Sequence, residues 1–229
     1  MLYALIDTSG NSLLVALADG EGRILSAGVL EHTPDNASRL SNLLTECLGD
    51  AGAERGDITH LGVGIGPGSF IGTRTGVAFA NGMAVALSLP VIAVSSLQTA
   101  AAIAILETPN VSVVRCGRRK AYFVGVFERS PDGTAAISVE PERELSAAEI
   151  PGLFERLAGV ALSANVLVVT DSDQVFATLN KGETPARVDA VLRENVVDIR
   201  GMAAMMVQEV SAGRARPWAD VAYLRPAVL

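Results

Sequence analysis

Cysteine and histidine are scarce in this chain, and their scarcity removes several chemistries at once. Of 229 residues, 2 are cysteine (Cys47 and Cys116) and 2 are histidine (His32 and His60). The cysteines stand far apart, without the short spacing of a zinc or redox motif, and read as buried free thiols in a reducing compartment. Neither histidine has a second histidine at helical spacing, so no paired-histidine metal centre is encoded. Long apolar runs are missing as well. The nearest, Met83 to Val94, is broken by Pro90 and falls short of the ~18–20 residues of a membrane helix. The start of the chain lacks a basic leader and carries Asp7 inside its first apolar segment, so no signal peptide is expected and the expected location is the cytoplasm. Positive charge is in deficit: 18 Lys and Arg against 25 Asp and Glu give a net charge of −7. Such a balance argues against sequence-independent nucleic-acid binding by this chain alone. A hydrophobic content of 49% argues against disorder and is ample for one large or two small cores.

What is abundant is glycine, concentrated in Leu61 to Leu87, LGVGIGPGSFIGTRTGVAFANGMAVAL. Leu61, Val63 and Ile65 alternate with Gly62, Gly64 and Gly66, the pattern of a short strand running into a turn. Pro67-Gly68 turns the chain, and Ser69 is placed to cap a helix that runs to Leu87. On that helix Gly72, Gly76, Ala80 and Ala84 recur at every fourth position and so share one face. Each interior glycine costs a helix about 0.5–1 kcal/mol relative to alanine, so something must approach this face closely. Two readings are open: the helix packs by this face on its own sheet, or another helix docks there. A strand–turn–helix unit also offers N–H groups to an anion at Gly66, Gly68 and Ser69. Counting excludes the familiar versions. The glycine spacing of a dinucleotide fingerprint fails at Pro67, Ser69 or Ile71, a P-loop lysine is absent, and Ser69 lacks the flanking glycines of a nucleophile elbow.

The rest of the chain supplies an order of elements. Three β-like runs (residues 2–8, 12–18 and 23–30) precede an amphipathic helix with Leu40, Leu43, Leu44, Cys47 and Leu48 on one stripe. A strand at 58–65, the glycine-rich helix, a strand at 91–94 and a helix near 97–106 follow. After Pro109-Asn110 the order begins again, with strands near 111–115, 120–127 and 134–140, a helix near 147–158, a strand at 166–169, then short elements leading to a last helix near 196–212. A βββαβαβα order is thus read twice without a residue-level repeat, predicting subdomains at 1–108 and 109–229 with the tail packing back on the first. Asp171 and Asp173 read as solvated loop residues. Arg115, Arg118, Arg119 and Lys120 read as a hairpin tip facing water, with RNA phosphate as the alternative partner. No catalytic constellation emerges.

The segment Gly66 to Gly76, GPGSFIGTRTG, resembles the GPGSFTGLRxG signature of the TsaB (YeaZ) family, with Ile71 and Thr73 as departures. Tyr122 and Tyr223-Leu224-Arg225 match two further family positions, whereas Asn36 and Ser38 stand where relatives carry His and Glu. The resemblance implies an α/β fold of tandem RNase H-like subdomains with mixed sheets, as in the actin, sugar-kinase and heat-shock ATPase superfamily. It implies a non-catalytic subunit supporting TsaD in transferring a threonylcarbamoyl group to the tRNA adenosine next to the anticodon. ATP and metal would then sit on the TsaD-like partner and none on this chain alone. tRNA would be met only within the complex, a homodimer would form in the partner's absence, and no membrane would be involved. The implied interface comprises Leu40, Leu43, Leu44, Gly72, Gly76 and Ala80. Asp7-Thr8-Ser9 resembles the superfamily's first phosphate loop, which keeps an alternative in view: a small nucleotide-binding phosphatase or kinase using Asp7 and the Gly66–Ser69 loop, against which Asp7 reads as a structural turn residue.

Overall fold

The computed structural model describes residues 1–33, 35–117, 121–160, 166–180, 188–193 and 197–222. Within them the expected order appears twice: β1 (Leu2–Asp7), β2 (Ser12–Asp19), β3 (Ile24–Glu31), α1 (Asn36–Asp50), β4 (His60–Gly64), α2 (Phe70–Leu87), β5 (Val91–Val94) and α3 (Ser96–Ala104) come first. Then follow β6 (Asn110–Cys116), β7 (Ala121–Arg129), β8 (Ala136–Ser146), α4 (Ile150–Val160), β9 (Val166–Thr170), α5 (Asp173–Asn180), β10 (Val188–Leu192) and α6 (Ile199–Ser211). The two sheets have matching orders, β3-β2-β1-β4-β5 and β8-β7-β6-β9-β10. In each, the first three strands form an antiparallel meander and the remaining pairs run parallel.

The units are not cut where the order of elements suggests. One comprises Met1–Thr99 together with Val197–Ala222; the other takes the described residues from Ala100 to Arg193, and the tail expected to pack back on the first lies, from Tyr223 on, outside the described residues. The expected division at 108/109 is therefore corrected twice. The boundary falls inside α3, and α6, read as the closing helix of the second copy, packs on β1, β2 and β5 of the first unit. The apolar face of α6, with Met202, Ala203, Met205 and Met206 buried, explains this: it covers the face of the first sheet opposite α1 and α2.

In the first unit β1 is buried along its whole length, as a central strand covered on both faces must be. The leucines of α1 lie in one core with Val15, Leu17, Leu61, Val63, Val77 and Ala80. Burying each such leucine contributes about 1.5–3 kcal/mol before entropy. In the second unit α4 and α5 press Leu153, Phe154, Leu157, Val175 and Leu179 against Val114, Tyr122, Val124, Val166 and Val168. Among the described residues no helix is long and apolar enough to cross a membrane.

Candidate functional site

The ends of β1 and β4 meet the start of α2, and this junction is built around Asp7. Its carboxylate is buried, with 1% exposure, over Gly64, where a β-carbon would collide with Oδ2. The Ser9 N–H and Ser9 hydroxyl donate to Oδ1, each at 2.7 Å, and the Ser96 hydroxyl donates to Oδ2 at 2.8 Å. The turn that follows is held to the same residues. Ser69 N–H donates to Ser9 O and Ser96 N–H donates to Gly66 O, both at 2.8 Å. Gly66 has φ +94°, a backbone state open to glycine, and the Gly66–Pro67 peptide is cis. Ser69 caps α2 as expected, accepting from Gly72 N–H at 3.2 Å. The Asp7 oxygens are thus engaged with neighbouring donors and closed to solvent. The Gly66–Ser69 loop is braced by Ser9 and Ser96.

The small stripe of α2 faces inward. The Thr8 hydroxyl donates to Gly72 O at 2.6 Å, and a β-carbon at Gly72 or Gly76 would strike Thr8 O or Thr8 Oγ1. Gly72, Thr73, Gly76, Val77, Ala80 and Ala84 are all buried. So are Leu40, Leu43 and Leu44 on α1, with 0%, 4% and 1% exposure. The expectation that these six residues (Leu40, Leu43, Leu44, Gly72, Gly76 and Ala80) form a docking surface is therefore corrected. They are core of the first unit, and the thing that approaches the glycines is the end of β1.

A different face of α2 looks outward. Ile71, Arg74, Ala78, Gly82 and Val85 are exposed at spacings of 3, 4, 4 and 3 residues, which keeps them on one line along the helix. Ile71 is 63% and Val85 82% exposed, Phe70 beside them 51%, and a β-carbon at Gly82 would meet nothing within 4 Å. Arg74 lies over the Phe70 ring at 3.8 Å. This apolar, small-residue strip was legible as period-3.6 spacing, but the inner stripe of smaller residues masked it. The outward residues of α1, among them Ala37, Ser38, Asn42, Thr45 and Glu46, are mostly polar.

In the second unit the place equivalent to Asp7 and Gly64 holds Arg115 and Asp171. Arg115 is 3% exposed and its Nε lies 3.9 Å from Asp171 Oδ2, while Cys116 N–H donates to Asp171 Oδ1 at 2.6 Å. Burial pushes the Asp171 carboxyl upward, opposed by the Cys116 N–H and the Arg115 charge. Arg115 therefore does not belong to a solvated hairpin tip, and Asp171 is no solvated loop residue; Arg118, Arg119 and Lys120 lie outside the described residues. Cys47 is buried as expected, but Cys116 is exposed. Tyr122 is buried and its hydroxyl donates to Gln174 Oε1 at 3.3 Å. His32 Nε2 lies 3.0 Å from Gly10 O and His60 packs edge-on against Tyr3, so both serve the first unit's framework. Among the described residues no group of three or more His, Cys, Asp or Glu is placed to hold a metal.

Comparison with known proteins adds three findings. Residues 33–166 match the family model described as TsaD, tRNA N6-adenosine threonylcarbamoyltransferase. The tRNA threonylcarbamoyladenosine biosynthesis protein TsaB of Escherichia coli is 37% identical over 99 residues, 42% of this chain and 41% of that protein. Its Bacillus subtilis counterpart is 30% identical over 128 residues, 56% of each. The chain thus spans about half the length of the curated relatives it matches. Among solved structures, YeaZ from Pseudomonas aeruginosa superposes with a TM-score of 0.79 at 22% identity, covering 97% of this chain and 99% of that one. The shared architecture is the tandem α/β fold with two mixed sheets expected from the order of elements.

Proposed function

The chain belongs to the TsaD-type family whose model it matches, as a TsaB (YeaZ) member, and from that membership we propose that it is a supporting subunit of a tRNA threonylcarbamoyladenosine synthesis complex. In this reading it docks a TsaD-like protein, which carries ATP, metal and the transfer of the threonylcarbamoyl group to tRNA. This chain alone binds no cofactor and meets tRNA only within the complex. It works in the cytoplasm and not at a membrane. In the partner's absence the docking surface closes on a second copy as a homodimer.

The observation that carries the proposal is the outward strip of α2. Ala78 and Gly82 let a partner helix approach closely, and Ile71 and Val85 flank them with apolar area for it to cover. The kinase or phosphatase alternative finds less support. It needs Asp7 facing a nucleotide, and the carboxylate is instead buried among Ser9, Ser96 and Gly64.

The test is a large charged side chain on the strip. Ala78→Arg and Val85→Arg substitute exposed positions and should leave the melting temperature within about 2 °C of the parent, since surface changes are usually within ±0.5 kcal/mol. Both variants should lose the TsaD-like partner in pull-down and fail to support threonylcarbamoyladenosine formation in a reconstituted reaction. Normal binding and activity in both would place the partner elsewhere. ATP turnover by the isolated chain that disappears with Asp7→Asn would favour the enzyme reading instead.

A further inference from the structure

Threonines on the helices share a habit that one of them breaks. The Thr45, Thr75 and Thr178 hydroxyls each donate to the carbonyl four residues back, Ser41 O, Ile71 O and Gln174 O, at 2.9, 3.0 and 2.8 Å. Thr73, at the end of the first turn of α2, does not. Its N–H donates to Ser69 O at 2.8 Å, but Thr73 Oγ1 has no hydrogen-bond partner among the described residues, although the residue is only 3% exposed. Among the described residues the other such atom is Arg143 Nε, and that guanidinium is already anchored through Nη2 to Glu140. A buried hydroxyl left without a partner costs stability that an apolar side chain of the same shape would not. In the signature that this segment resembles, Thr stands at position 71 and Leu at 73. Here Ile71 and Thr73 reverse the two characters, which moves the hydroxyl from the exposed side of α2 to its buried side.

The hydroxyl faces the turn that precedes the helix. A β-carbon at Gly66 would lie 3.6 Å from Thr73 Oγ1 and 3.4 Å from Gly68 N, so both atoms border one point. The Gly68 N–H donates to no acceptor among the described residues. Neighbouring groups of the turn are committed elsewhere: Gly66 N–H to Ser96 Oγ at 3.3 Å, Gly66 O to the Ser96 N–H, Ser69 N–H to Ser9 O, and Ser69 Oγ to the Gly72 N–H. Gly66, Pro67 and Thr73 are buried while Gly68 and Ser69 are half-buried, so the turn meets water at Gly68.

We propose that the Gly68 N–H and the Thr73 hydroxyl receive one oxygen of a small carboxylate anion at the N-terminus of α2. Both groups can donate to the same oxygen, and a helix of 18 residues turns its positive end toward it. Asp7 decides which anion fits. The Ser96 hydroxyl, which accepts from the Gly66 N–H, donates to Asp7 Oδ2 at 2.8 Å, so a buried negative charge lies behind the turn. Like charges repel strongly where water is excluded, which favours the single charge of a carboxylate over the double charge of phosphate. The rest of the acid extends past Gly68 toward solvent. The site uses the buried side of α2, leaves Ala78, Gly82 and Val85 untouched, and does not depend on the function proposed above.

The probe is acetate, titrated at constant ionic strength into the isotope-labelled full chain and followed by amide resonances. The Gly68 amide should move and saturate. Thr73→Val keeps the shape of the side chain without its hydroxyl and should raise the acetate dissociation constant about tenfold or more, whereas Thr73→Ser should stay within about threefold of the parent. Inorganic phosphate, doubly charged above neutral pH, should bind more weakly than acetate. Melting temperature gives a second readout. Without acetate, Thr73→Val should melt above the parent, because it removes a buried hydroxyl that lacks a partner. Acetate should then raise the melting temperature of the parent and leave that of Thr73→Val unchanged. A Gly68 amide that acetate does not move, or equal acetate affinity in the parent and Thr73→Val, would overturn the site. A lower melting temperature for Thr73→Val in acetate-free buffer would overturn it too, since the hydroxyl would then serve a partner inside the fold. Tighter binding of phosphate than of acetate would overturn the assignment to carboxylates.

Discussion

Gly76→Ala and Gly82→Ala are chemically identical changes on one helix, and the structure assigns them opposite signs. Both gain intrinsic helix propensity, about 0.8–1 kcal/mol. At Gly82 nothing lies within 4 Å of the new methyl, so the gain should appear almost whole, as a rise in melting temperature of about 2–4 °C. At Gly76 the methyl meets the Thr8 hydroxyl, whose rotation away would break its 2.6 Å bond to Gly72 O. Thr8 is fully buried, so the hydroxyl has no water to turn to. Overpacking of this kind costs about 1–3 kcal/mol and loss of the buried bond about 1–3 more. Subtracting the propensity gain leaves a net loss of about 1–5 kcal/mol. Urea denaturation of the two variants beside the parent measures this directly, with the first unit followed by the single tryptophan, Trp218. Thr8→Ala should recover part of the deficit in Gly76→Ala while destabilising the parent. If Gly76→Ala proves as stable as Gly82→Ala, the inner stripe does not face β1, and the assignment of inner and outer faces of α2 fails with it.

Asp7→Ala should destabilise the first unit by about 1–3 kcal/mol, since it removes the buried acceptor of the Ser9 N–H and of the Ser9 and Ser96 hydroxyls; urea midpoints report the loss. Leu43→Ala should cost about 2–4 kcal/mol by opening a cavity under α1 at Gly28, and a loss below about 1 kcal/mol would mean that α1 does not seat there. His60 is held below its ordinary value of 6.5, first by burial and then by the positive N-terminus. The unfolded chain therefore takes up a proton near that value while the folded chain resists it. His60 contributes stability that is present above 6.5 and is lost as pH falls through its lower folded value. Stability measured from pH 7.5 down to 5 should fall less steeply in His60→Phe than in the parent; equal slopes would remove His60 as the source.

The sequence by itself determined the order of elements. The apolar runs of Leu2–Asp7, Ser12–Asp19 and Asn110–Cys116, the leucine stripe of α1 and the Ser69 cap are local signals, and local hydrogen bonding obeys them. GPGSFIGTRTG likewise carried the family, because a turn at Gly66 with φ +94° and a helix start resting on Thr8 admit few residues. What the sequence could not decide was which partner each face meets. Two glycines at helical spacing state that something comes close, and only packing reveals that it is the Thr8 of the same chain while Ala78 and Gly82 look outward. The same holds for α6, whose buried methionines could serve either sheet and were placed on β1, β2 and β5 by contacts spanning much of the chain. From the sequence Asp7 reads as a turn residue, with a nucleotide contact as the alternative, and Asp171 as a solvated loop residue. Tertiary structure buried one among serines over a glycine and set the other beside a buried arginine, because their surroundings are assembled from segments distant in sequence. Periodicity fixes what a residue is next to along the chain; burial, charge pairing and free edges are properties of neighbours that only the folded chain brings together.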